Sequence, residues 1–386
     1  MTGISLGKLR KNKKRRIIVI SAGGFQSGIQ CIYFSSNSTW EILAHSTIPY
    51  PQKVTAILEK CISGPRDQFK ISDLAWLDLK VTHMMAECAK TTLAQVPHSI
   101  AKPHIAVVNK LSLWKGPTGE SCQQHYWDQS AGDPQYIAST FAIPVIADFS
   151  RFNLIAGGTG RVPVNPGNME ILSKAPGLSI LLNIGLVSRM TIVDTAASKV
   201  ILDSDAGPGT CLIDKLVREL SGNDNFDRDG ALASKGKVDG ECLNTLVSSE
   251  WFLQNGQKTT ASDQFDELLE LESLKSLSPH DRLATVTALT ARAIYNYYRS
   301  EYKDAPVPDR IFISGGGANN LTLRDFLSAY FQAIPIKSID ELGIPVDMRV
   351  PFALGLTVNA YISGINVPFD TGAAPKITSI GKWYSP

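Results

Sequence analysis

The sequence lacks long apolar runs, paired cysteines, paired histidines and a strong charge of either sign, and each absence closes a class of function. The longest apolar stretches, such as LSILLNIGLV (178–187), fall far short of the ~20 residues of a membrane-spanning helix. The basic start leads into a short strand-like run and not into a cleavable apolar region, so no secretory signal is expected. The six cysteines (Cys31, Cys61, Cys88, Cys122, Cys211, Cys242) show no CxxC spacing and read as buried free thiols of a reducing compartment. The six histidines have no HxxxH or HExxH spacing, so no zinc site is expected. A net charge of +2 gives no reason to expect a nucleic-acid or membrane partner for the chain as a whole. GxxxxGK[ST] is absent, which excludes a P-loop, and no GxGxxG with a downstream acid points to a Rossmann site.

What is present is enough apolar residue, 44% of 386, for more than one core, and two domains are expected. The one charge cluster is KLRKNKKRR at 8–16. It reads as a nuclear-import or polyanion patch or, the reading adopted, as a flexible, solvated arm over residues 1–16. Residues 17–34 predict a strand, glycine turn and strand. Helical spacing is found at 52–62 and 80–98, and 104–114 reads as one strand. A short helix over 135–143 precedes a strand in PVIADF. The second half opens on another strand–turn–strand unit (178–194), followed by helices at 213–221, 281–300, 321–332 and 351–363 and a strand from 310. VNPGN (164–168) breaks periodicity and predicts a junction between domains 17–165 and 166–386, with the last segment able to pack back on the first. The fold class expected is α/β, two related domains facing a cleft.

Four glycine loops stand at strand ends: SAGGFQSG with Gly23 and Gly24, NIGLVS with Gly185, DSDAGPGT with Asp205, Gly207 and Gly209, and ISGGGANN with Gly315, Gly316, Gly317 and Asn320. Glycine lets backbone N–H groups approach an anion, and a following helix adds a favourable dipole. Strand-to-helix turns need glycine for steric reasons too, so each loop alone is weak evidence.

The order and spacing of several segments resemble the anhydro-N-acetylmuramic acid kinases and the related levoglucosan kinases. ADFSRFNLIAGGTGRVP (147–163) is similar to their DFRxxDxAxGGxGAP, and GDPQYIASTFAIPV to GDPxxIAxxTGIPV. LLNIGLVSRMTIV resembles LNIGGIANLT, and DSDAGPGT resembles FDTGPGN. FDRDGALASKGKV, with Asp227, Asp229 and Gly230, resembles YDxDGxxAxxGxV. ISGGGANNLTL resembles CGGGxxNxxL, and DELGIPVD matches DELGIPxD. The resemblance covers most of the chain. It implies the actin-like, sugar-kinase two-domain fold with ATP and magnesium in the cleft, and a reaction in which water opens a 1,6-anhydro ring while O6 takes the γ-phosphoryl group. It also implies that Gly315, Gly316, Gly317 and Asn320 lie by the adenosine, and Asp205, Gly207, Gly209 and Asp227 on the sugar side. A homodimer and a cytoplasmic location go with it; the basic run keeps a nuclear location as an alternative.

The departures are concentrated. The family's first phosphate loop, MSGTSxDGxD, is replaced by SAGGFQSGIQ: the Thr-Ser pair becomes Gly24 and Phe25, and the two acids become Ser27 and Gln30. The HGQT segment falls on Lys110 to Leu113, NIGG becomes NIGL with Leu186, and a helix acid falls on Val350. The second acid of DFRxxD, which the resemblance makes the general base for water, is Asn153. An amide orients water but cannot take its proton, and loss of a general base costs ~10²–10⁴ in rate. Asp148 reads either as a structural carboxylate capping the loop or as a rescued catalytic group. Two readings follow: a pseudokinase keeping sugar or nucleotide binding, and an active enzyme with altered chemistry through Asp148 or Asp205, since phosphoryl transfer depends mainly on positioning and electrostatics.

Overall fold

The computed structural model describes residues 6–12, 14–24, 27–37, 39–63, 70–118, 125–221, 224–303, 305–367 and 379–386. Phe25 and Cys122 lie outside them. The chain folds as two compact units, Met1–Ile171 with Val350–Pro386, and Leu172–Arg349. The strands of the first are β1 (Arg15–Ala22), β2 (Ile29–Ser36), β3 (Trp40–Ile48), β4 (Ile105–Asn109), β5 (Leu111–Thr118), β6 (His125–Ala131) and β7 (Val145–Ala147). The second holds β8 (Leu178–Ile184), β9 (Val187–Asp194), β10 (Lys199–Pro208), β11 (Arg310–Ser314) and β12 (Ile336–Ser338), and β13 (Lys382–Tyr384) belongs to the first again.

The first sheet runs β13-β7-β4-β1-β2-β3. β1, β2 and β3 form an antiparallel meander; β4 is parallel to β1, and β7 to β4. The second sheet runs β10-β9-β8-β11-β12, again an antiparallel meander followed by two strands parallel to its first. The two units therefore repeat one five-strand topology, and β13 is an addition to the first.

β1 and β2 form the expected hairpin, but burial along them is continuous and not alternating. Both faces are covered: helices Gln52–Ser63 and Ile71–Leu93 contribute Val54, Leu58, Leu77, Val81 and Met85 on one side. On the other, Phe352 packs edge-on against Phe34, and Gly355 lies where a Cβ would collide with Val19 and Phe34. In the second unit the long helix Pro279–Tyr302 serves two cores. Its C-terminal half, with Ile294, Tyr297 and Tyr298, packs on the sheet, and its N-terminal half, with Leu283, Val286 and Leu289, packs on helix Cys211–Ser221.

Three local expectations differ from the structure. The helix expected over 80–98 is Ile71–Leu93, because Asp73 accepts from the Lys70 N–H and starts it a turn and more earlier. The single strand expected over 104–114 is two: β4 ends at Asn109, and β5 pairs only with β6 in a separate two-stranded sheet. VNPGN is the start of a helix, Asn165–Leu172, with Pro166 in its first turn, where a missing N–H costs nothing.

The basic run is also more ordered than a solvated arm. Residues Leu6–Lys11 are helical, Leu9 is buried, and Arg15 is buried in β1 with its guanidinium on Leu9 O, Asn359 and Ser363. One buried leucine and one buried arginine anchor a segment whose composition alone reads as solvent-facing.

Candidate functional site

In the first unit the sequence-selected residues gather at the C-terminal ends of the parallel strands, where open α/β sheets place ligands. Gly23 and Gly24 follow β1, Lys110 follows β4 and Asp148 follows β7. The Asn109 amide donates to Ser21 Oγ at 3.0 Å, tying the ends of β4 and β1 together.

The turn after β1 is closed on itself. Gly23 N–H donates to Gly28 O, Ser27 N–H donates to Gly24 O, and Tyr50 OH donates to Gly23 O. Two backbone donors are thus engaged inside the turn.

Asp148 has a left-handed backbone, φ 62°, at the head of helix Phe149–Ile155, and its side chain does not cap that helix. One oxygen lies 3.3 Å from Lys110 Nζ, and the other accepts from Tyr384 OH. Burial, then the bond to Asp148, pushes the Tyr384 phenol well above its usual value. Asn153 is 2% exposed, and its Oδ1 accepts from Gly160 N at 2.6 Å and Arg161 N at 3.1 Å. A Cβ on Gly158 would collide with this amide. Asn153 is therefore the post on which the GGTGR loop is hung.

In the second unit, three of the four conspicuous segments interlock and the fourth docks on one of them. Gly209 N–H donates to Leu186 O and Thr210 N–H to Gly185 O, joining NIGL to GPGT. Gly209 has no room for a Cβ, which would meet Gly185 O, and Gly315 (φ 85°) lies against Ile184 O. Gly316 and Gly185 differ: an added Cβ at the first meets nothing within 4 Å, and at the second only ordinary contacts at 3.6 Å. Packing explains glycine at 209 and 315 and does not explain it at 185 and 316. Asn320 caps the next helix through Leu323 N, and Thr322 Oγ1 donates to Gly230 O, which docks FDRDG on the GGGANN segment.

The two acids on this side are committed to backbone. Asp227 accepts from Leu232 N and Ala233 N at 2.8 and 3.0 Å, and Asp205 accepts from Thr260 N at 2.8 Å with Arg189 3.7 Å away. Gly207 (φ 139°) follows on the same strand, facing Ala293.

A sequence model of one family, described as anhydro-N-acetylmuramic acid kinase, matches residues 15–386. The chain belongs to the anhydro-N-acetylmuramic acid kinase family. The family's protein from Caldanaerobacter subterraneus is 33% identical over 252 residues, 63% of either chain. That from Salinibacter ruber is 30% identical over 394 residues, 98% of either. Among solved structures, a gluconate kinase from Lactobacillus acidophilus aligns at TM-score 0.46 and 12% identity, over 96% of this chain and 94% of that one. The fold is the α/β, actin-like one expected from the kinase resemblance, with one five-strand order repeated in its two units.

Measured against the kinase family, sequence reasoning missed three features. Tyr384 lies 236 residues from Asp148 and carries no local motif. In the second unit a half-buried Arg189 pairs with buried Asp203, and the buried Arg349 guanidinium donates to Ser314 Oγ at 2.8 Å. Burial and the neighbouring Arg189 lower Arg349 to about 10. Lys258 is also buried, with Nζ on Trp251 O and 4.2 Å from the Trp251 ring centre; burial lowers its pKa. An isolated basic residue beside apolar ones is a signal for Arg189 and Arg349 alone; Lys258 stands in the polar stretch NGQKTT and Tyr384 carries none. Among the described residues, no group of three or more His, Cys, Asp or Glu is placed to hold a metal, and no helix is long and apolar enough to cross a membrane.

Proposed function

We propose that this member of the anhydro-N-acetylmuramic acid kinase family is a pseudokinase: a binding protein on a kinase fold, with impaired or absent ATP-dependent phosphorylation. The observation that carries the reading is Asn153. The residue at the family's base position is an amide, and its oxygen is already taken by Gly160 and Arg161 N–H. It has neither the basicity nor the free acceptor to activate water. Asp148 is already bonded through both oxygens, to Lys110 and to Tyr384.

The fit to Mg-ATP is poor on the phosphate side. The turn with Gly23 and Gly24 spends amides on itself, and the acids of the matching loop are Ser27 and Gln30. The loops of the second unit keep their glycines except at Leu186, which supports residual binding: a nucleoside by Gly185, Gly315, Gly316, Gly317 and Asn320, and a sugar by Asp205, Gly207, Gly209 and Asp227. The partners in this reading are small molecules and a second copy of the chain, in the cytoplasm, with no nucleic acid or membrane. A second reading, an active enzyme using Asp148 or Asp205, has those same retained glycines in its favour.

Calorimetric titration with Mg-ATP, with and without levoglucosan or 1,6-anhydro-N-acetylmuramic acid, separates them, alongside a phosphorylation assay. The expected result is no phosphorylated sugar and nucleotide binding no tighter than millimolar, barely changed by EDTA. Tight ATP binding enhanced by a sugar, with turnover, would sink the pseudokinase.

A further inference from the structure

We propose that Tyr384 is the positioning residue for Asp148 and makes β13 a working part of a subsite for a polyhydroxylated ligand in the first unit. The inference rests on the sugar-binding half of the function proposed above.

Asp148 sits in a conformation that non-glycine residues adopt at a cost, and such strain is kept where surrounding structure fixes it. The usual reason for aspartate at a helix head is to cap it, and here the carboxylate does not. It turns away to Lys110, from the end of β4, and to Tyr384, from β13. β13 is an addition to the repeated topology, with no counterpart in the second sheet. It is registered on β7 by Lys382↔Ala147, Trp383↔Ile146 and Tyr384↔Val145, and Gln135 Nε2 donates to Ser385 O at 2.7 Å. Three elements distant in sequence thus deliver an ammonium, a carboxylate and a phenol to one point. The side chain of Lys110 is 18% exposed and that of Asp148 is 7% exposed, so the cluster is neither sealed nor a surface ion pair.

The chemistry follows from donor and acceptor counts. A carboxylate has about four lone-pair positions, and two are filled. Held between Lys110 and Tyr384, Asp148 keeps acceptor capacity in a fixed direction for a ligand hydroxyl, and Lys110 keeps N–H groups for a ligand oxygen. Pairs of this kind bind vicinal hydroxyls without moving a proton.

The test uses the full-length protein and the substitutions Tyr384→Phe and Asp148→Asn. Alkaline spectrophotometric titration reads the phenols, with Lys382, whose ammonium lies 4.7 Å from the Tyr384 ring centre, and Lys110, Asp133 and Arg151 as the other charged groups around Tyr384. Asp148→Asn is expected to bring one late-titrating tyrosine down toward the usual range, and Tyr384→Phe to remove that tyrosine altogether. Calorimetry with levoglucosan and 1,6-anhydro-N-acetylmuramic acid is expected to show binding about tenfold weaker in Tyr384→Phe, as for loss of a charge-assisted hydrogen bond. Thermal melting checks that both variants fold. An unmoved tyrosine titration in Asp148→Asn, or unchanged sugar affinity in Tyr384→Phe, overturns the proposal. If the unsubstituted protein takes up neither sugar, the sugar-binding reading falls and the subsite with it, while the titration still decides whether Tyr384 holds Asp148.

Discussion

Asn153 accepts two loop N–H groups on one oxygen, and a carboxylate could keep both bonds on Oδ1 while freeing Oδ2. Asn153→Asp is therefore expected to fold with little change in melting temperature. Asn153→Ala, which removes the acceptor, is expected to cost roughly 1–3 kcal/mol in denaturant unfolding. If Asn153→Asp also gains sugar phosphorylation, the amide is the main lesion; if it does not, the closed turn after β1 is a second one. The glycines make a parallel residue-scale contrast. Gly209→Ala must push Gly185 O aside and is expected to destabilise by roughly 1–3 kcal/mol. Gly316→Ala meets nothing and is expected to stay within about 0.5 kcal/mol. A fall in nucleotide affinity confined to Gly316→Ala would mark where ligand approaches.

The end of the N-terminal segment and the start of β1 meet a titratable side chain, His104. His104 N–H donates to Arg16 O, Arg16 N–H donates to His104 Nδ1 at 2.8 Å, and Asn12 lies 3.3 Å from Nε2. Burial, then Arg16 and Arg15, lowers the His104 pKa below 6.5. For a base with a depressed folded pKa the neutral form is the folded one. The contribution is therefore complete above about 6.5 and is lost as pH falls through the folded value. Melting temperatures between pH 7.5 and 5 are expected to fall, and to fall less in His104→Asn, whose Oδ1 can accept from Arg16 N–H without titrating. Equal slopes in the two proteins would remove His104 from the account. The same element shows why a basic run misleads. Composition counts Arg15 as solvent-facing, and only its pairing with Asn359 and Ser363, over 300 residues away, buries it.

At the scale of the whole molecule, the sequence by itself determined the family, the α/β class and the hairpins that open each half. These depend on local apolar spacing and on motifs contiguous in the chain, such as ISGGGANN and DELGIPVD. It also determined that position 153 is an amide, since chemical type does not depend on folding. Helix Ile71–Leu93 and the break between β4 and β5 were not legible, because a single capping contact and a change of sheet partner set them. What only the tertiary structure decided is what each polar group does: Asn153 hangs a loop, Asp148 turns from its own helix to Lys110 and Tyr384, and Asp205 and Asp227 hold backbone. The physical reason is that hydrogen-bond partners are fixed by distance in space, and the strands that bring Lys110, Asp148 and Tyr384 together are adjacent in the sheet and far apart in the chain.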